Sequence, residues 1–211
     1  MLDVSTIEDP AAATATLDPL RNRMLAELHE PASAAGLAAR LDLPRQKVNY
    51  HLRELEKLGL VTVAEERRWG GLTERLMVSR ASSFVISPAS LGDIAADPER
   101  CDDRLSAGYL IALAARLVRE VGSLVEGARK ARKSLATLSI DTVIRFRSPA
   151  ERAEFTAELV ACVHDLASRY HDESAPNGRN HRLIVGAHPV PLHSTRPGQP
   201  VHEDEPQGDS V

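Results

Sequence analysis

The chain has 211 residues, of which 43% are hydrophobic and 27% are charged, a composition that indicates a soluble globular protein with enough apolar residues for two modest cores. No apolar run reaches the roughly 18 residues that a membrane-spanning helix needs. The N-terminus lacks the basic and apolar regions of a signal peptide, so we expect a cytoplasmic protein.

The net charge of −4 is unevenly distributed along the chain. Residues 18–80 carry eleven basic and nine acidic side chains, a net +2, whereas the segments on both sides are negative. Because this surplus is small, a polyanion would bind there through the placement of individual cations and not through bulk charge. The aromatic content of 3% disfavours a carbohydrate cleft or a base-stacking platform.

Three helices are predicted after residues 1–17, which are Ala/Thr-rich and which we expect to form a flexible arm. Asp18 and Pro19 are a typical helix start, an N-cap acceptor followed by a proline at the first position. Ser33 can cap a second, short helix that stops near Asp42. The third helix is predicted from Pro44 to about Leu58.

A β-hairpin is predicted next. β-branched residues between Leu60 and Val63 and a second run from Leu72 to Val78 flank a charged segment and the turn at Trp69-Gly70-Gly71. Three helices followed by a hairpin are the element order of a winged helix-turn-helix. We therefore assign residues 18–80 to such a domain and residues 81–103 to a linker.

The second half of the chain is predicted to contain a long helix followed by a small strand-helix-strand unit. Apolar residues recur every three or four positions from Leu110 to Leu135, and alternation over 138–146 predicts a strand. Ser148 and Glu151 form a capping box for another helix, and Leu183 to Ala187 indicates a last strand. The fold class is thus α+β, with a dimerisation or effector domain at 104–188 and a disordered tail at 189–211.

The third helix of the first domain has a polar face. With about 100° per residue and Val48, Leu52 and Leu55 turned inward, the opposite face is polar and partly basic. A solvated surface helix would show the same polarity. The combination of amide and guanidinium side chains with a short preceding helix and a tight turn favours contact with base edges.

The residues from Gly36 to Val61 carry a resemblance to a known family. The run GLAARLDLPRQKVNYHLRELEKLGLV resembles the core of the ArsR (arsenical-resistance-repressor) type of winged helix-turn-helix transcriptional regulator. Two positions depart from the family pattern. Asp42 replaces a common turn glycine and Pro44 replaces a common serine cap, yet Asp tolerates the left-handed conformation and Pro fits a first helical turn. The second half resembles the C-terminal extension of longer members of this class.

This resemblance implies that the third helix enters the major groove of double-stranded DNA and that the hairpin, or wing, lies along the backbone or the minor groove. It implies base-reading roles for Arg45, Gln46, Asn49 and Tyr50, base or phosphate contacts for Lys47 and Arg53, and phosphate contacts for Arg67 and Arg68. Glu65 and Glu66 weaken the assignment of the wing arginines, because acids repel phosphates.

The sequence does not favour a metal site or an enzyme. The family's metal sensors carry a Cys-x-Cys pair at the start of the third helix, and residues 43–47 contain neither cysteine nor histidine. No GxSxG, HExxH, phosphate-loop or GxGxxG motif is present. We therefore predict a protein that is not an enzyme and needs no cofactor. Cys101, between Arg100 and Arg104, is a candidate redox switch.

The long helix is predicted to mediate homodimerisation, since a two-fold dimer doubles the contacts that one helix-turn-helix unit can make. The predicted dimerisation residues are Leu110, Leu113, Leu117, Val121 and Leu124. In the alternative, this stripe packs only within its own chain. The sequence favours a homodimeric repressor controlled by an unidentified effector; the competing hypothesis is a winged-helix protein-interaction module that does not read DNA.

Overall fold

The structure, a computed structural model, describes residues 2–69 and 72–191. They fall into two compact units, Met1–Arg169 and Tyr170–Val211. The first unit contains β1 (Leu2–Ile7), α1 (Pro10–Leu17), α2 (Pro19–Glu27), β2 (Ala32–Ser33), α3 (Ala34–Leu41), α4 (Arg45–Lys57), β3 (Val61–Trp69), β4 (Leu72–Ser79), β5 (Ala81–Ile86) and α5 (Ala107–Lys130), with two short 3₁₀ helices between β5 and α5, and ends within α6 (Pro149–Tyr170). Described residues of the second unit contain turns but no helix or strand after α6.

The three helices of the helix-turn-helix begin and end where local chemistry predicts. The Asp18 carboxylate accepts hydrogen bonds from the amides of Leu20 and Arg21, and Ser33 Oγ accepts from the amide of Gly36 at 3.2 Å. Asp42 adopts the left-handed conformation, with φ 54° and ψ 54°, and ends α3. Pro44 precedes α4 without a side-chain cap, and Asp42 does not replace one. The tight turn predicted between α3 and α4 is confirmed.

The wing is an antiparallel hairpin. β3 and β4 pair from Val61 with Ser79 to Trp69 with Leu72, with a bulge between Val63 and Glu65, and β2 pairs with the outer side of β4. The predicted turn residues Gly70 and Gly71 lie outside the described residues. The mixed helix-and-strand class is confirmed, with an N-terminal winged helix-turn-helix followed by a long helix.

The N-terminal segment is not the flexible arm that we expected. β1 pairs in parallel with β5, from Leu2 with Ala81 to Ile7 with Ile86, and α1 is capped by Asp9 and buries three alanines and a threonine. The partner of β1 lies about 80 residues away in the chain, so only the fold brings the two strands together. Likewise, the expected linker at 81–103 contributes β5 and both 3₁₀ helices, Pro88–Ile94 and Pro98–Arg100.

The long helix α5 packs against the rest of the first unit with its small residues. Ala112, Ala115 and Gly122 are buried, and a Cβ atom placed on Gly122 would lie 2.6 Å from Thr6 Oγ1 in β1. Arg116 joins α5 to the second 3₁₀ segment through ion pairs with Asp97 at 3.1 Å and Glu99 at 2.9 Å. The face of α5 with small side chains therefore packs on β1 and the 3₁₀ segment.

The two strands predicted in the second half are not formed. Residues 131–148 and 171–191 contain no strand, and Leu138 and Ile140 are 83% and 85% exposed. A strand needs a neighbour to accept and donate its backbone hydrogen bonds, and no described segment pairs with either stretch. The helix between them is confirmed: Ser148 Oγ accepts from the amide of Glu151 at 3.1 Å, while Glu151 accepts from the amide of Arg147 instead of Ser148. Residues 192–211, most of the predicted disordered tail, lie outside the described residues.

We expect Gly122→Ala to lower the free energy of unfolding by about 1–3 kcal/mol, because the added methyl group would overlap the short, β-branched side chain of Thr6. Chemical denaturation monitored by circular dichroism measures this change. Gly127→Ala is the matched control: nothing lies within 4 Å of its added Cβ, so it should be neutral or stabilise the helix by up to about 1 kcal/mol. Equal effects of the two variants would contradict the close approach of α5 and β1.

Arg80, at the end of the wing, joins α5 through Glu126. The Glu126 carboxylate lies 3.3 Å from Arg80 and 2.6 Å from Arg129, and Lys130 is 3.7 Å away. The hydrogen bonds from Arg129 and the charges of Arg129, Arg80 and Lys130 outweigh desolvation and lower the pKa of Glu126 to about 2.

Glu126→Gln should therefore lower the free energy of unfolding at pH 7 by about 0.5–1 kcal/mol, a value limited by solvent screening at this half-exposed site. Because the pKa is depressed in the folded state, the contribution is complete above about pH 4.5 and disappears as the pH falls toward 2. Denaturation of both proteins across this range tests it, with Glu158→Gln on α6 as the control. A difference that persists at pH 2 would contradict the ion-pair origin.

Candidate nucleic-acid interface

The core of the first domain determines which face of α4 is exposed. Val48, Leu52 and Leu55 are buried against α2, α3 and the wing. The predicted base-reading residues of α4 are all exposed, and Tyr50 is 60% exposed. The structure brings together on this one helix the six predicted contact residues Arg45, Gln46, Lys47, Asn49, Tyr50 and Arg53.

The basic side chains of this face are available to a ligand. Arg45, Lys47, Arg53 and Lys57 form no hydrogen bond or ion pair with any residue among 2–69 and 72–191. The acidic Glu56 on the same helix is bound by Arg75, which donates to both of its carboxylate oxygens. The exposed face of α4 therefore presents four unpaired positive charges, and one of its acids is already neutralised.

The two predicted wing arginines differ in their surroundings. Arg67 is held by Glu65 through two hydrogen bonds of 2.9 and 3.0 Å, whereas Arg68 has no ion-pair partner among the described residues. Successive residues of a strand point to opposite faces. Arg68 shares its face with Glu66 and with the cross-strand residue Arg75, which contacts α4, and Arg67 lies on the other face.

Arg75 joins the wing to α4 and is the residue of this surface that the sequence analysis missed. Its guanidinium binds Glu56 on α4 and lies 3.6 Å from Glu66 on β3. The hydrogen bonds that Arg75 donates to the Glu56 carboxylate raise the pKa of Arg75. The pairing of Glu66 with Arg75 follows from a hairpin centred on Gly70-Gly71, a signal that the sequence contained. The ion pair between Arg75 and Glu56 could not be predicted in this way, because it depends on how α4 packs beside the wing.

His51 lies at the edge of the α4 surface and is half-buried. Arg21 Nε in α2 donates to His51 Nδ1 at 3.4 Å, and the ring of Tyr50 meets the His51 ring edge-on at 5.3 Å between centroids. Burial and the neighbouring Arg21 charge lower the pKa of His51. His51 thus accepts a hydrogen bond from α2 in its neutral form and packs against the ring of Tyr50.

The predicted dimerisation residues lie on the outward face of α5. At 100° per residue, Leu110, Leu117 and Val121 are opposite the buried Ala112, Ala115 and Gly122. Leu117 and Leu124 are 45% and 54% exposed, and Leu110, Leu113 and Val121 are half-buried. The small residues Ala112 and Ala115, which the sequence analysis assigned to close approach of a second helix, pack within their own chain instead.

The described part of the chain shows little sign of other sites. Within residues 2–69 and 72–191, no three His, Cys, Asp or Glu side chains cluster as metal ligands. Two concavities of the described chain are open surface grooves, one at the turn between α3 and α4 and one at the start of α6. Cys101 is half-buried, with its sulfur 3.6 Å from the carbonyl oxygen of Asp97. None of the described helices is both long enough and apolar enough to span a bilayer.

Comparison with known proteins identifies the first domain. Residues 16–64, which include α2, α3, α4 and the start of β3, match the model of a family described as a helix-turn-helix domain. A search of curated proteins found no significant match. The match does not single out the ArsR type among such domains. The exposed polar helix, the tight turn at Asp42 and the paired wing agree with this match, and the chain therefore carries a helix-turn-helix domain of the kind found in DNA-binding regulators.

Proposed function

We propose that this protein is a sequence-specific DNA-binding transcriptional regulator of the ArsR type, acting as a homodimeric repressor. The observation that carries the proposal is the exposed face of α4. Its amide and guanidinium side chains have no partner among the described residues, and the buried face holds the helix in place. Asn and Gln pair with adenine edges, and Arg pairs with guanine, when a helix enters the major groove.

In this proposal, Arg45, Gln46, Asn49 and Tyr50 read bases, and Lys47 and Arg53 contact bases or phosphates. Binding would block access to a promoter, and an effector would release the protein. A helix in the major groove places its N-terminal residues nearest the base edges, which supports the assignment of Arg45, Gln46 and Asn49. Dimerisation would place two such helices on two half-sites.

We expect the combined variant Arg45→Ala, Gln46→Ala, Asn49→Ala to lose sequence preference in a selection of genomic fragments, since each correct base contact contributes about 1–3 kcal/mol of discrimination. The wild-type protein should enrich a two-fold symmetric motif. Arg152→Ala, which removes one positive charge from α6, is the control and should retain it. Salt-insensitive binding to a protein, with no motif enriched at either of two salt concentrations, would instead support an interaction module.

The wing makes a separate prediction. Arg68→Ala should weaken DNA binding and reduce the slope of log K against log salt concentration by about 1, as expected for one lost phosphate contact. Arg67→Ala should have a smaller effect, because Arg67 must first leave Glu65. Fluorescence anisotropy with the selected operator, at several salt concentrations, measures both slopes. A larger effect of Arg67→Ala would contradict the idea that its ion pair with Glu65 keeps Arg67 from phosphate.

The homodimer is supported by the orientation of α5. Its small residues pack inward, so the stripe of Leu110, Leu113, Leu117, Val121 and Leu124 remains on the outer side, where a second copy can cover it. We expect the unmodified protein to have about twice the chain mass of 22.9 kDa in sedimentation, and Leu117→Glu, Leu124→Glu to be monomeric. Ile111→Glu is the control, since Ile111 is an exposed apolar residue about 120° away from the stripe. Dissociation by the control alone would contradict the proposed face.

A further inference from the structure

We propose that α6 of one copy packs against α5 of a second copy, so that the dimer is held by a bundle of four helices. The contact joins Phe155, Leu159, Cys162, Val163 and Leu166 of α6 to the outward stripe of α5. This inference rests on the proposed homodimer and identifies what covers both exposed helix faces.

The first observation is that the described part of its own chain covers α6 poorly. None of its 22 residues is buried, although the five residues of its stripe lie on one side of the helix. Its one aromatic contact among the described residues is that of Phe155 with Phe146, in the segment just before it. Most of the stability of a helix in a protein comes from packing its amphipathic face, so α6 needs a surface on which to bury its apolar stripe.

The second observation is that α5 alone offers too little surface. Its stripe contains five large apolar side chains, of which three are already half-buried. Stable interfaces use about 20–30 residues from each partner. The two helices have 24 and 22 residues, or about 36 and 33 Å, so α6 matches the length of the stripe and roughly doubles the apolar contact.

The connection between the helices allows α6 to reach a second copy. Residues 131–148 contain no helix or strand and, fully extended, span up to about 60 Å. Within its own chain, α6 makes no extended contact with α5 although this segment would permit it. A two-fold dimer in which each α6 crosses to the other copy covers both α5 stripes and both α6 stripes at once.

Disulfide cross-linking tests the contact, because Cys162 lies in the α6 stripe. In the full chain carrying Cys101→Ser, single Leu113→Cys, Leu117→Cys and Leu124→Cys substitutions are introduced and the proteins are oxidised mildly. We expect at least one to give a covalent dimer whose disulfide, located by peptide mass spectrometry, joins the new thiol to Cys162. Adding Cys162→Ser should abolish it, and the Cys101→Ser chain alone is the background control.

Three results would overturn the inference. A disulfide to Cys162 within one chain would place α6 on its own α5. A covalent dimer that survives Cys162→Ser would indicate contact between two α5 helices alone. Absence of any disulfide to Cys162 at all three positions would remove α6 from the interface.

A second measurement does not depend on thiol geometry. Leu159→Glu, Leu166→Glu should raise the dimer dissociation constant by about tenfold or more, while Val160→Glu, an exposed apolar position about 115° from the stripe, should leave it unchanged. A monomeric unmodified protein would refute the proposed homodimer itself. A dimeric protein that is insensitive to the α6 variants would refute only the role of α6.

Discussion

The burial of Val48, Leu52 and Leu55 is the constraint on which the rest of the proposed DNA-binding surface depends. These three side chains fix the rotation of α4 about its axis, because a turn of the helix would expose them to water at a cost of about 1.5–3 kcal/mol each. With the rotation fixed, Gln46, Tyr50 and Arg53 must point outward, and Arg45 and Asn49 lie at the edges of that face. The Arg75 bridge to Glu56 then holds the wing beside this face. The buried face of α4 therefore determines which side chains its other face exposes.

Burial also determines the orientation of α5, whose small residues face the rest of the domain and whose large apolar residues face outward. Alanines and a glycine allow it to approach β1 closely at Thr6, and this leaves its larger apolar residues on the opposite side. Small side chains let a helix approach its neighbour closely. Leucine side chains are larger and need a neighbouring surface with room for them. In the proposed contact, α6 of a second copy would provide that surface. It would also link dimerisation to the wing, since Arg80 binds Glu126 on the same helix.

Much of the fold was predictable from local signals. The caps at Asp18 and Ser33, the left-handed Asp42 and the hairpin were all predicted, because each depends on residues within a few positions of one another. The errors in predicting strands have one cause. β1 contains the alternation of Leu2, Val4 and Thr6 that would have indicated a strand, but its partner β5 is distant, and the alternating segment at 138–146 lacks a partner in the described chain. A strand is a property of two segments, and one segment cannot specify it.

The sequence by itself determined the helix-turn-helix, its tight turn and the identity of the side chains on the outer face of α4, since helical periodicity and capping act over short distances. Only the tertiary structure decided which of these side chains are free. Arg67 is occupied by Glu65, Glu56 is neutralised by Arg75, and α5 turns its alanines inward. These outcomes depend on contacts between elements that are far apart in the chain or on which strand face a residue occupies, and neither is encoded in the spacing of residues along one helix.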